Sequence, residues 1–110
     1  MITVGLDFHG VIDANPQMFS TLSKRFIIKG SQVHIITGSS ITDDFRKMLV
    51  DYGIYWTHLF SITDYHKELK TPIKFDEKGN PWIDEEVWNK TKAEYCIRMD
   101  IDLHIDDSKH

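Results

Sequence analysis

The stretch ITVGLDFHGVID, residues 2–13, decides the fold. Ile2 to Leu6 form a short, nearly continuous apolar run, which is the pattern of a strand covered on both faces. Asp7 ends that run, so a carboxylate is expected at the strand's carboxyl end, followed by a turn at Gly10.

Outward from this stretch, strand and helix patterns alternate. Asn15 and Pro16 read as the N-cap and first residue of a helix on which Phe19, Leu22 and Phe26 share a face, and Gly30 stops it. Val33 to Ile36 repeats the buried-strand pattern. After Gly38, the cluster Ser39, Ser40 and Thr42 offers caps for a helix carrying Phe45, Met48, Leu49 and Tyr52, ended by Gly53. Tyr55 to Ile62 is aromatic and β-branched enough for a third strand, with His58 the odd residue in it.

From Asp64 to Asp84 the alternation breaks. Pro72, the run Ile73 to Phe75, the turn-rich Asp76 to Asn80 and then Pro81 to Ile83 predict an irregular insertion with a hairpin. A helix is expected from about Glu85 to Met99, with Cys96 in its interior, and Leu103 to Ile105 is a last strand leading into Asp106 and Asp107. Parallel neighbours need right-handed helical crossovers, so the pattern predicts an α/β fold: a Rossmann-like three-layer sandwich with a mostly parallel sheet and a short hairpin-like insertion. Residues 1–110 are expected to make one domain, with 64–84 as the insertion.

Composition is consistent with that. A chain of 110 residues with 41% hydrophobic and 27% charged residues buries one core without needing a disulfide or a structural metal. A formal charge of −4 supplies no basic field for polyanions, which argues against nonspecific nucleic-acid binding. The single cysteine excludes an internal disulfide and a Cys-based zinc cluster, and fits the reducing cytosol. No basic leader followed by an apolar segment opens the chain, and no apolar run approaches membrane-spanning length. A cytoplasmic protein without a membrane partner is the expectation.

In open parallel sheets, ligands bind beyond the carboxyl ends of the strands. There the first strand delivers Asp7, the second Thr37 and the last Asp106 and Asp107. Three carboxylates meeting at one edge repel one another, and a divalent cation with hard oxygen ligands, Mg²⁺, is the natural compensation. Lys92 or Lys90 adds a second positive charge. Lys92 is favoured because it falls on the helical row of Trp88, Tyr95 and Met99.

Four ordered stretches, DFHGVID (residues 7–13), VHIITGSS (33–40), NKTKAEYC (89–96) and IDLHIDDS (101–108), resemble the motifs of the haloacid dehalogenase (HAD) superfamily, in the manner of a small, capless or minimally capped phosphatase-like member. The first is the most specific and the lysine stretch the weakest. The resemblance implies that Asp7 attacks phosphorus to give an aspartyl-phosphate. It also implies that Thr37 and Gly38 bind the phosphoryl oxygens and that Lys92 neutralises their charge. Mg²⁺ would be held by Asp7, the main-chain carbonyl of His9, and Asp106 or Asp107.

Two features depart from the family pattern. His9 stands where a phosphatase of the family usually has a second, acid–base aspartate; an imidazole near its unperturbed pKa of about 6.5 can take that role. The chain also ends two residues after Ser108, as a truncated or minimal domain would. An insertion too short for a full cap leaves the site open, or closed in part by the hairpin or by the neighbouring subunit of a homo-oligomer. Such sites suit a phosphorylated small molecule or a phosphorylated macromolecule end, by analogy only.

The remaining histidines, His34, His58, His66, His104 and His110, have no paired metal-ligand spacing and read as strand or surface residues. Trp56, Trp82 and Trp88 read as packing, with Trp82 alternatively facing a substrate. The leading expectation is a Mg²⁺-dependent phosphomonoester hydrolase, acting on a nucleotide or nucleic-acid end. The alternative is a non-hydrolytic module binding Mg²⁺ and phosphate in the same pocket. A receiver-like signalling domain is disfavoured, because receivers place their acidic pair after the first strand.

Overall fold

The computed structural model describes residues 2–69, 74–75, 81–82 and 85–106. The elements run β1 (Thr3–Asp7), α1 (Pro16–Ile28), β2 (Gln32–Thr37), α2 (Asp43–Asp51), β3 (His58–Ser61), α3 (Ile62–Glu68), β4 (Lys74–Phe75), β5 (Pro81–Trp82), α4 (Glu85–Arg98) and β6 (Leu103–Ile105). The main sheet has four strands in the order β3-β2-β1-β6. All its pairings are parallel, with Asp7 beside Ile36, Thr37 beside Ser61 and Leu6 beside Ile105. The result is an α/β architecture compatible with a Rossmann-like fold. Where a hairpin is expected, β4 and β5 pair antiparallel, and residues 76–80 between them lie outside the described residues.

The apolar runs of β1 and β2 are explained by burial on both faces. Val4, Leu6, Val33 and Ile35 join Phe19 of α1 and Phe45 and Leu49 of α2 in one core cluster. Ile36 joins Ile62 and Tyr95 in another, against which Trp88 and Cys96 of α4 and Met99 just after it pack. Alternation along the strands therefore sends odd and even positions to different helices. Asp7 shares the alternate set with Gly5, on the side where α4 lies.

Caps are built from the residues that announced them. The Asn15 side chain accepts from the Met18 amide, Thr42 accepts from Phe45, and Gly30 and Gly53 turn the chain at φ 83° and 74°. Two expectations need correction. The third strand is His58–Ser61, shorter than Tyr55 to Ile62, and the irregular insertion does not begin at Asp64, because Ile62–Glu68 is helical. The cause is the Ser61 side chain, which accepts from the Asp64 amide at 3.0 Å and so caps a helix directly at the strand's end.

Candidate active site

Parallel pairing brings the carboxyl ends of β1, β2 and β6 to one edge, and β1 has neighbours on both sides. The chain leaves β1 towards β2 and later returns on the opposite flank as β6, so Asp7 sits where the strand order reverses, the usual ligand position in such sheets. Directly after Asp7, the backbone of His9 is extended and Gly10 takes φ 77°, a left-handed conformation open to glycine at little cost. That turn is closed by the Asp13 amide donating to the Phe8 carbonyl at 3.1 Å, and the Asp13 carboxylate accepts from the Gly10 amide at 2.7 Å. A strand thus becomes a tight loop around the carboxylate.

Asp7 is buried, 5% exposed, and both of its oxygens are engaged. Lys92 Nζ donates to Oδ2 at 2.7 Å and also to Asp106 Oδ2 at 3.1 Å, while His104 Nε2 lies 2.7 Å from Oδ1. Of the two lysines, Lys92 is the one that reaches the carboxylates. Lys92 bridges the two carboxylates, whereas Lys90 is exposed and lies 4.0 Å from Glu94. Burial works to lower the Lys92 pKa, but the hydrogen bonds and charges of Asp7 and Asp106 outweigh it and the net shift is upward. The Asp7 hydrogen bond, with a smaller contribution from Cys96, pushes His104 up to about 10 against its burial. Lys92 thus stands between the two acids, and His104 meets Asp7 at its other oxygen.

Thr37 is buried, and its hydroxyl accepts from the Ser39 amide at 3.1 Å, so it shapes the loop after β2 as well as lining the cavity. Its own proton remains a donor, since a hydroxyl both gives and accepts. Gly38 is required by a neighbour: a Cβ there would fall within the Trp88 ring. The Gly38 carbonyl accepts from the Thr63 hydroxyl, and the Ile41 amide donates to Asp64 at 2.9 Å. Helix α3, read from sequence as loop, is thus a buttress for the site.

His9 does not turn its imidazole to Asp7's hydrogen-bonding partners. Its Nε2 lies 3.1 Å from Ser39 Oγ and its Nδ1 lies 3.5 Å from the Asp13 carboxylate, with 60% of the side chain exposed. Among the expected site residues, Asp7, His9, Thr37, Gly38 and Lys92 line one cavity of about 210 Å³, together with Phe8, Ile36, Ile62 and Trp88. Asp106 joins through Lys92, and Asp107 lies outside the described residues. The cavity suits a phosphoryl group and a few waters at roughly 30 Å³ each, and is below the roughly 300–1,000 Å³ of drug-sized sites. Larger grooves of about 560 and 520 Å³ run along α1, away from this cluster of charges.

The residue that sequence reasoning missed is His104. Its signal was positional: it stands opposite Gly5 in the β1–β6 ladder, and so on the Asp7 side of the sheet, which becomes visible only once the register is known. Asp7, His104 and Asp106 each place a ligand atom within 4.8 Å of the others, a donor set able to hold a divalent cation. Among the described residues no helix is long and apolar enough to cross a membrane. No known family, curated protein or solved structure matches the chain.

Proposed function

We propose that this protein is a small phosphohydrolase of the HAD type, a Rossmann-like three-layer domain whose Asp7 is phosphorylated and dephosphorylated in turn. The observation that carries the reading is the bridge from Lys92 to both Asp7 and Asp106, which joins the two ends of the sequence at one sheet edge. An isolated strand-end aspartate would be solvated; this one is buried against a cation, beside a phosphate-sized cavity. Perturbed charges converging in a concavity are the usual mark of a reactive centre.

In this reading an Asp7 oxygen attacks phosphorus and the bond to the leaving oxygen breaks. Lys92 and the Thr37 hydroxyl stabilise charge on the transferring oxygens, and the leaving oxygen takes its proton from His9. His9, now neutral, accepts a proton from the water that cleaves the acyl phosphate and restores Asp7. Ser39 and Asp13 keep the imidazole at the rim. Asp7 and Asp106, with the His9 carbonyl, would hold the divalent cation, Mg²⁺ in the sequence-based expectation; it would supply charge neutralisation for the phosphoryl group. The small cavity holds the phosphoryl end alone, so the body of the substrate, a nucleotide or a phosphorylated macromolecule end, lies outside it. The one half-buried free cysteine suits a cytoplasmic setting.

Phosphate release from a panel of phosphomonoesters with Mg²⁺ tests the proposal. The wild type is active and Asp7→Asn loses at least about a thousandfold; equal inertness of the two, without binding of a phosphoryl analogue by either, overturns it. A second reading, a phosphate-binding module without turnover, is favoured by the exposed His9 being engaged with Ser39 and Asp13. Turnover gained by His9→Asp from an inert wild type would select that reading.

A further inference from the structure

We propose that His104 is a metal ligand, so that Asp7, His104 and Asp106 form a mixed nitrogen–oxygen site selecting a first-row transition dication such as Mn²⁺ over Mg²⁺. The inference rests on the phosphohydrolase reading for the site's location and extends it to the kind of metal. Its first support is geometric. Ligand atoms at about 2.0–2.2 Å from an ion lie roughly 3–4.4 Å from each other, and the three donors already converge to within 4.8 Å.

The second support is how the imidazole is held. His104 is fixed in a strand by pairing with β1, where its partner in the ladder is Gly5. From that position the imidazole reaches Asp7, two residues further along β1, with Nε2 2.7 Å from Oδ1. About a quarter of the His104 side chain is accessible, so a solvent-borne ion reaches it without unfolding the edge.

Third, the Asp7 charge does not require His104. Lys92 already lies 2.7 Å from Oδ2, on the other oxygen of the same carboxylate. Each carboxylate oxygen carries two lone pairs, so Lys92 can stay while Oδ1 turns from an N–H to a cation. An Nε2 proton in that hydrogen bond would leave to solvent when a metal binds, and the freed lone pair would be the ligand.

The donor chemistry sets the selectivity. Mg²⁺ demands oxygen ligands and keeps its waters, whereas imidazole nitrogen raises affinity for transition dications. The competing role for His104 is that of a built-in cation, competing with any metal for Oδ1, and it predicts the opposite sign when the ring is removed.

The experiment is titration of the substrate-free protein with Mn²⁺ and with Mg²⁺ by calorimetry, together with pulsed electron paramagnetic resonance of the Mn²⁺ form. The expected result is a nitrogen coupling from one imidazole and Mn²⁺ binding at least about tenfold tighter than Mg²⁺. In His104→Asn, which keeps a donor for Asp7, the coupling disappears and Mn²⁺ affinity falls about tenfold or more, while Mg²⁺ affinity changes little. His104→Leu serves if that variant does not fold, and the wild-type spectrum decides by itself if neither does. Bound Mn²⁺ without nitrogen coupling, tighter binding in either variant, or no binding of either ion at millimolar concentration overturns the proposal. Because no substrate is present, these outcomes are independent of whether Asp7→Asn abolishes phosphate release.

Discussion

At the scale of single residues, the site is a problem of charge held at close range. Asp7 and Asp106 tolerate each other because Lys92 stands between them, and with its side chain only 13% exposed few waters can replace those contacts. Under the proposed phosphohydrolase reading, Lys92→Met is expected to lower phosphate release by at least about a hundredfold, the scale of losing one preorganised donor to developing charge. Lys90→Met, two residues away on the solvent side of the same helix, should leave the rate within about twofold. Steady-state phosphate release from the two variants measures the contrast; equal losses would mean that position along α4, not contact with Asp7, sets the effect. Asp7, Thr37 and Lys92 were legible in the sequence because strand ends and a helical row are one-dimensional patterns. His104 was not, since its partner across the ladder depends on a register that no spacing encodes. Asp13 and Ser39 were likewise invisible as supports for His9, because their importance comes from a loop that doubles back at Gly10.

Elements meet the site through close contacts that leave little room for substitution. At the end of β2, Gly38 allows the Trp88 indole of α4 to lie against the backbone, and Trp88 in turn walls the cavity. Gly38→Ala places a methyl group within that ring, and displacing it costs roughly 1–3 kcal/mol, typical of overpacking. Urea denaturation should show that loss, and the double variant Gly38→Ala/Trp88→Leu should recover more than half of what the alanine costs relative to Trp88→Leu alone. A full cost in both backgrounds would mean that the backbone, and not the indole, requires glycine. Helices α1 and α2 were readable from caps and glycine stops, which are local. Helix α3 was not: Ser61 closes a strand and opens a helix in the same residue, so the aromatic β-run masked the serine and the acid three residues later. Thr63 and Asp64 of α3 nonetheless hold the Gly38 carbonyl and the Ile41 amide in the loop that frames the cavity.

For the molecule as a whole, the parallel α/β topology followed from alternating patterns, but burial on both faces of the sheet also forces polar groups into dry places that sequence does not flag. His34, in the middle of β2, is fully buried. Its Nδ1 accepts from the Tyr95 hydroxyl at 2.6 Å and its Nε2 donates to the Gln32 side chain at 3.1 Å, an arrangement that uses both nitrogens of the neutral ring. His58 stacks on it at 4.2 Å, and burial first, then the His58 charge, lowers the His34 pKa to about 4. Between that value and the unfolded value of about 6.5, the unfolded chain binds a proton that the folded one refuses. Stability is therefore intact above about pH 6.5 and falls as pH drops towards 4, by on the order of 3 kcal/mol over the whole interval. Carboxylates add their own acid dependence, so the measurement is a difference: urea-unfolding free energies of wild type and His34→Phe from pH 7.5 to 4. The phenyl ring keeps the stack on His58 and forgoes the proton. The variant starts less stable because Tyr95 loses its acceptor, yet the gap should narrow steadily below pH 6.5. A gap that stays constant across that range would mean that His34 titrates alike in both states, and that the Tyr95–His34–Gln32 chain does not hold the ring neutral.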